Sequence, residues 1–473
     1  MAVEDNQTNP VEILTRLSFA QIDEGAFEEA AKSAHQVWTD QSTRGGELEK
    51  GLEFLVEIAG ALQDGGTPED LWMPLVETAL DSIGERRDII WARLRLLLPV
   101  KMKRLSRGRI NAGRWLGADS EAIRIVREHG TARDYARTLW VYDWQTLSET
   151  KQLIDLARSW TDRVAAGRAL SVAAESLMYR HGAFRHACQI LEEILALQLD
   201  QGSIVEQAKT LVRLTMAQLA RGELVEAAET RQKAKDMVAR LGPGYLIHEH
   251  AGTTRGGDLY PQISIESNFA WYTGGDWLAV AEHWVHAVSL EEPGGSPVHI
   301  VEAAMAAQAY ALIGRHEDAQ FYLDELTPIL QQLQPTDWAF NGAVGRASHA
   351  IWDMASVKYA RDYREMAHAL LEAGVGDWTS TSLEQTVARM ASLLNNVHEA
   401  SEYFQLARAK LDPEQVPQRA IIDFDEAVSL RITSVEGGKR RVSLLDSALK
   451  DFKAVGMKGW TKRALTEAQT LNQ

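Results

Sequence analysis

Apolar residues in this chain recur three and four positions apart, the spacing that lines one face of an α-helix. In "IVEAAMAAQAYALIG", Val301, Met305, Tyr310 and Ile313 fall close to that rhythm, with small alanines between them where a second helix can approach. No stretch shows sustained period-two alternation bounded by hairpin turns, the mark of a strand. The pattern predicts an all-α chain.

A phrase recurs within this helical background. "GAFEEAAKSAHQVW" begins at Gly25 and "GAFRHACQILEEIL" at Gly182. Both read as a turn residue, a large residue two positions on, an Ala three further, then apolar residues at helical spacing. Five more stretches fit: from Gly222, from Gly275 with Val280 in the Ala slot, from Gly314, from Arg361 with Met366 in that slot, and after Asn395. Gly or Asn closes a helix because each tolerates a left-handed backbone, and the next helix must start within a few residues to pack antiparallel. Phe27, Phe184 or Trp277 then fills the space between the two helices, while Ala30, Ala187, Ala227 and Ala319 permit close approach. Each unit is a helical hairpin that cannot hide its apolar face alone, so a stacked array is expected.

The phrase resembles the second half of the tetratricopeptide repeat. The resemblance covers residues 11–40 and most of 165–473, with steps of 40 from Gly182 to Gly222 and 39 from Gly275 to Gly314, looser than the family's period of about 34. It implies a right-handed α-solenoid, with degenerate repeats over 1–164 and a more regular array with capping helices over 165–473. The closing stretch "LLDSALKDFKAVGMKGWTKRALTEAQTL" resembles the last repeat in tails of bacterial signalling ATPases, LuxR-type regulators and cyclases. No G-x-x-x-x-G-K-[ST] loop accompanies it, since "EGGKRRVSLL" lacks the spacing that cradles a phosphate, and no helix-turn-helix is evident. The resemblance therefore implies binding without catalysis: a scaffold or adaptor for a protein or peptide partner in signalling or regulation. The alternatives are a peptide- or small-ligand-sensing receptor and, behind it, a helical-barrel enzyme. In the resembled family the positions six and three residues before the turn face the concave side. Here they are Ser176 and Tyr179, Met216 and Leu219, Phe269 and Tyr272, Gln308 and Ala311, Arg389 and Ser392.

Composition sharpens this picture. With 473 residues, 45% of them hydrophobic, the chain is too long for one compact domain. A net charge of −16 argues against general binding to nucleic acid or an anionic membrane. The one cysteine, Cys188, excludes an intramolecular disulfide framework and a Cys-based zinc site. An acidic N-terminal stretch without a signal-peptide pattern, and no window of eighteen uninterrupted apolar residues, point to a cytoplasmic protein. His248, Glu249 and His250 lack the H-E-x-x-H spacing, and the Ser near His299 has no nucleophile-elbow context. Neither a metal nor a cofactor is expected. Fourteen tryptophans read as core packing rather than as a sugar-binding barrel.

One segment departs from the acidic average. Between Arg86 and Arg114 ten bases face one acid, a local +9 that leaves −25 for the remainder. Lys101, Lys103, Arg104, Arg107 and Arg109 are the candidate docking patch for an acidic partner. The competing reading is that these bases complement acidic helices of the same array.

Overall fold

The computed structural model describes residues 10–23, 26–43, 48–64, 69–97, 112–138, 146–198, 204–241, 266–289, 297–333, 338–374, 382–433 and 438–470, and the regular structure among them is entirely helical. The first hairpins are α1 (Pro10–Asp23) with α2 (Phe27–Thr43), α3 (Leu48–Asp64) with α4 (Glu69–Ile83), and α5 (Ile89–Leu97) with α6 (Ala112–His129). The short α7 (Ala132–Thr138) and α8 (Leu147–Ser159) follow, then α9 (Arg163–Glu175) with α10 (Phe184–Gln198) and α11 (Ile204–Arg221) with α12 (Leu224–Leu241). Helix α13 (266–273) pairs with α14 (Trp277–Ser289). Beyond it stand α15 (Pro297–Leu312) with α16 (His316–Leu330), α17 (Trp338–Asp353) with α18 (Val357–Glu372), and α19 (Leu383–Leu393) with α20 (Val397–Ala409). The series ends in α21 (Val416–Thr433), α22 (Gly438–Val455) and a closing helix, α23 (Lys458–Gln469).

Local chemistry sets where these helices begin and end. Thr146 and Glu149 form a reciprocal capping box on α8, while Asp162 caps α9 and Ser382 caps α19 through side-chain acceptors. The turns close as the repeated phrase requires. Gly222, Gly314 and Asn395 sit at φ of 81°, 79° and 58°. The next amide reaches back five residues: Glu223 N–H to the Gln218 carbonyl at 3.0 Å, Arg315 to Tyr310 at 2.9 Å, and Asn396 to Ala391 at 2.8 Å. Ala187, Ala227 and Ala319 are fully buried between paired helices. Gly25 lies outside the described residues.

Two copies of the phrase stand in a different register from the one the sequence suggested. In "TGGDW" the left-handed residue is Gly274, at φ 78°, because the Gly275 amide makes the five-residue return to the Ala270 carbonyl and Asp276 then caps α14. The copy placed at Arg361 is displaced by six residues, since Arg361 lies inside α18 and the turn falls at Ala355, at φ 50°. Val357 then takes the large slot and buried Ala360 the small one. A non-glycine residue in the left-handed region costs about 1–2 kcal/mol and leaves no Gly in the sequence to betray it.

Alternate helices stack side by side as a layer, α1 on α3, α3 on α5, α15 on α17, α17 on α19 and α19 on α21, and the intervening helices pack against this layer as the second arm of each hairpin. This is an all-α solenoid. Its interior is a series of apolar clusters: residues from Ile22 to Val126, from Ala136 to Ala217, and from Ala270 to Leu393. A fourth cluster breaks the sequential order. It joins Leu219, Ala227, Trp271 and Tyr272 to Phe424, Phe452, Trp460 and other residues of α21–α23. The end of the array has returned to its middle.

Three successive turns receive it. Gly182 faces the Gln415 side chain, Gly222 faces Pro417 and Val455, and Gly274 lies against Gly459. Arg185 pairs with Glu414, and Arg221 approaches the same carboxylate at 3.5 Å. The last contact excludes any side chain: a Cβ at Gly274 would stand 2.4 Å from the Gly459 Cα. The solenoid thus closes on itself across the hairpins from α9 to α14.

Candidate functional site on the inner helices

Closure brings the inner faces of α13, α17, α19 and α21 together. At their centre the Asp425 carboxylate accepts hydrogen bonds from Arg389 Nε at 2.8 Å, Gln385 Nε2 at 2.5 Å and Trp352 Nε1 at 3.1 Å. Arg389 Nη1 donates to His349 Nδ1 at 2.8 Å, which makes the imidazole an acceptor at Nδ1. Burial, reinforced by Arg389, Arg346 and Arg463, holds His349 well below the usual histidine range, so it is neutral. Burial pushes the Asp425 carboxyl up, against the pull of Arg389 and Gln385. The Trp271 ring meets His349 edge-on at 4.3 Å and Trp460 at 4.8 Å.

A second network lies beside the first. Arg346 on α17 donates to Asn268 Oδ1 at 2.9 Å and to Gln308 Oε1 at 3.3 Å, tying α13, α15 and α17 together. Gln418 Nε2 extends the first network through Gln385 Oε1 at 2.7 Å. All these side chains are buried, and two of their donors, the Trp271 indole N–H and the Gln308 amide, make no hydrogen bond among the described residues.

The repeat explains why polar groups converge here. Asn268, Gln308, His349 and Arg389 each stand six residues before the left-handed residue of their turn, and Trp271 and Trp352 stand three before. The positional rule read from the sequence therefore reached Gln308 and Arg389 directly. One register step turned Asn268 and Trp271 into Phe269 and Tyr272, and the unrecognised turn at Ala355 hid His349 and Trp352. Of those two aromatics, Phe269 is half-buried with the Arg231 guanidinium 4.6 Å over its ring, while Tyr272 is buried in the closure cluster.

The remaining expected positions do not join this network. Ser176 Oγ lies 2.9 Å from Thr150 Oγ1, between α8 and the π-turn that ends α9. Met216 packs half-buried among apolar side chains of α9–α12, and Leu219 belongs to the closure cluster. Ala311 is buried in the core, and Ser392 Oγ lies 2.6 Å from Ser429 Oγ. The Tyr179 side chain is outside the described residues, as are Lys101, Lys103, Arg104, Arg107 and Arg109 and the His248–His250 cluster. The described part of the basic segment is internally matched: Arg86 pairs with Glu49 and Asp88, Arg93 with Asp134 at 2.6 Å, and Arg87 lies 4.7 Å over the Trp91 ring.

Among the described residues, no group of three or more His, Cys, Asp or Glu side chains is placed to hold a metal ion, and no helix is long and apolar enough to cross a membrane. Burial lowers His299, which lies 3.4 Å from a Glu325 oxygen.

No family model and no curated protein matches the chain. Among solved structures it is similar to a Rap protein complexed with competence and sporulation factor, at 10% identity over 97% of this chain and 99% of that one, with a TM-score of 0.38. It is also matched to a circular tandem repeat protein with novel repeat topology, at 11% identity over 98% of this chain and 96% of that one, with a TM-score of 0.13. Neither likeness carries the argument, and the assignment to an all-α solenoid rests on the helices and their order.

Proposed function

We propose that this chain is a non-catalytic interaction scaffold that holds a protein or peptide partner against its inner helices, in a signalling or regulatory setting. The observation that carries the reading is the polar inner line: Asn268, Gln308, His349 and Arg389 at equivalent repeat positions, with the Trp271 and Gln308 donors unmatched among the described residues. A solenoid that needed this face only for packing would fill it with apolar side chains, because each buried polar group costs about 1–3 kcal/mol when left unpaired. The Trp271 indole and the Gln308 amide, on α13 and α15, suit the carbonyls of an extended or helical peptide that enters as the closed interior opens. The same two donors favour a short peptide ligand as the second reading, a receptor in place of a scaffold.

Photo-crosslinking in the native cytoplasm tests it. p-Benzoylphenylalanine replaces half-buried Phe269 on α13, next to Asn268, or, as control, Phe321 on α16, which is 64% exposed. The reading expects a discrete partner adduct from position 269 and none from 321. Adducts from 321 alone, or from neither, would contradict it.

A further inference from the structure

The closing helix α23 does more than cover the last hairpin. It reaches back to α13 and α17 and meets the C-terminal ends of both. There the Trp460 indole N–H donates to the Trp271 carbonyl at 2.7 Å, and Arg463, one turn later, pairs with Asp353. Both acceptors are groups that helix ends leave in need of a partner. The Trp271 carbonyl belongs to the last turn of α13, where carbonyls have no intrahelical donor. Asp353 is the final residue of α17, where an acid is disfavoured by the helix dipole unless a cation offsets it. Its side chain is nevertheless only 9% exposed. The guanidinium also lies 4.7 Å over the Trp460 ring, so indole and cation arrive as one stacked unit. The Gly274–Gly459 contact lets the two backbones touch and fixes the depth at which the unit docks.

Resting on the scaffold reading above, we infer that α23 is a resident pseudoligand. It occupies in cis a docking site made of the Trp271 ring and carbonyl, Gly274 and Asp353. The partner this site takes in trans is an amphipathic helix that presents a Trp and, three residues later, an Arg. The chain's own segment, seated there, states the chemistry of that partner: an indole N–H for an orphan carbonyl, a guanidinium for an acid at a helix end, and a small residue beside the indole. Partner binding and α23 docking are mutually exclusive, so the closed solenoid is the low-affinity form.

The test uses the full-length chain and a fluorescein-labelled peptide of residues 456–473 as probe. Gly459→Val puts a Cβ 2.5 Å from the Gly274 Cα and should release α23, read as rapid hydrogen exchange over 458–469 with α15 and α19 still protected. Arg463→Gln, a milder release, guards against a Gly459 variant that fails to fold. The released variants should bind the probe at least tenfold more tightly than the unmodified chain, and adding Asp353→Asn should remove that gain. A released helix without probe binding would overturn the inference, as would α23 remaining protected in both variants. If the inner-face photo-adduct forms equally well with the unmodified chain and Gly459→Val, the scaffold reading stands and the pseudoligand falls. If no adduct forms with either while the probe binds the released chain, the cis site stands and the scaffold reading falls.

Discussion

Replacing Arg389 with Met removes the cation bonded to Asp425 and leaves a carboxylate buried with two neutral donors, Gln385 and Trp352. Both side chains of the Arg389–Asp425 pair are 1% exposed, so water cannot take over the lost role. Breaking a buried pair from one side costs about 3–5 kcal/mol, because the remaining charge keeps its desolvation penalty. In a stacked array each unit is stabilised mainly by its neighbours, so the loss should concentrate in α19 and α21. Hydrogen exchange under native conditions resolves this. At roughly 1.4 kcal/mol per tenfold change, amides of those helices should exchange a hundred-fold or more faster, while α3 is unchanged. Adding Asp425→Asn restores a neutral acceptor for Gln385 and Trp352 and should recover more than half of the loss. A single-variant cost below about 1 kcal/mol, or a double variant no better than the single, would refute the claim that charge compensation holds the inner node together.

Three further outcomes follow from the same geometry. Gly274→Ala and Gly314→Ala both force a left-handed alanine, but only Gly274 faces backbone, and open space surrounds Gly314. In thermal denaturation Gly274→Ala should cost about 1–3 kcal/mol more than Gly314→Ala, and equal costs would show that the close approach to Gly459 is absent. Because His349 is depressed when folded, the unfolded chain takes up a proton below its ordinary value of 6.5 that the native state refuses. Stability should therefore fall as pH drops from 7 to 5, by up to about 1.4 kcal/mol per unit from this group, and His349→Gln should flatten the profile. Ala360→Leu should overpack the α17–α18 hairpin by about 1–3 kcal/mol, whereas exposed Arg361→Ala stays within about half a kcal/mol. The reverse ranking in urea midpoints would restore the register read from the sequence.

The hairpins were legible because their turns and small-residue slots use chemistry that sequence displays: Gly182, Gly222, Gly314 and Asn395 announce left-handed backbone, and Ala187, Ala227 and Ala319 announce close approach. Where two glycines adjoin, either can adopt the turn, and only the Gly275-to-Ala270 hydrogen bond selects Gly274. Ala355 gave no signal, since its left-handed backbone is imposed by tertiary packing. Gln308 and Arg389 followed from the repeat position alone. Their partners did not, because Arg346, His349 and Asp425 look like ordinary polar residues of amphipathic helices until the solenoid curves enough to bring them together. Closure was the least legible feature: Arg185 and Glu414 are 229 residues apart, and nothing in local periodicity pairs them.

Zero-length carbodiimide crosslinking measures that closure most directly. With Arg185→Lys in the full chain at low protein concentration, the closed solenoid predicts an intramolecular amide between the new amine at position 185 and Glu414 in the monomer fraction. The adjacent pair Arg158–Glu193, joined at 2.7 Å, serves as the positive control once Arg158→Lys supplies its amine. A control adduct without the 185–414 adduct would contradict the account, because an open array keeps those two residues on hairpins that never meet.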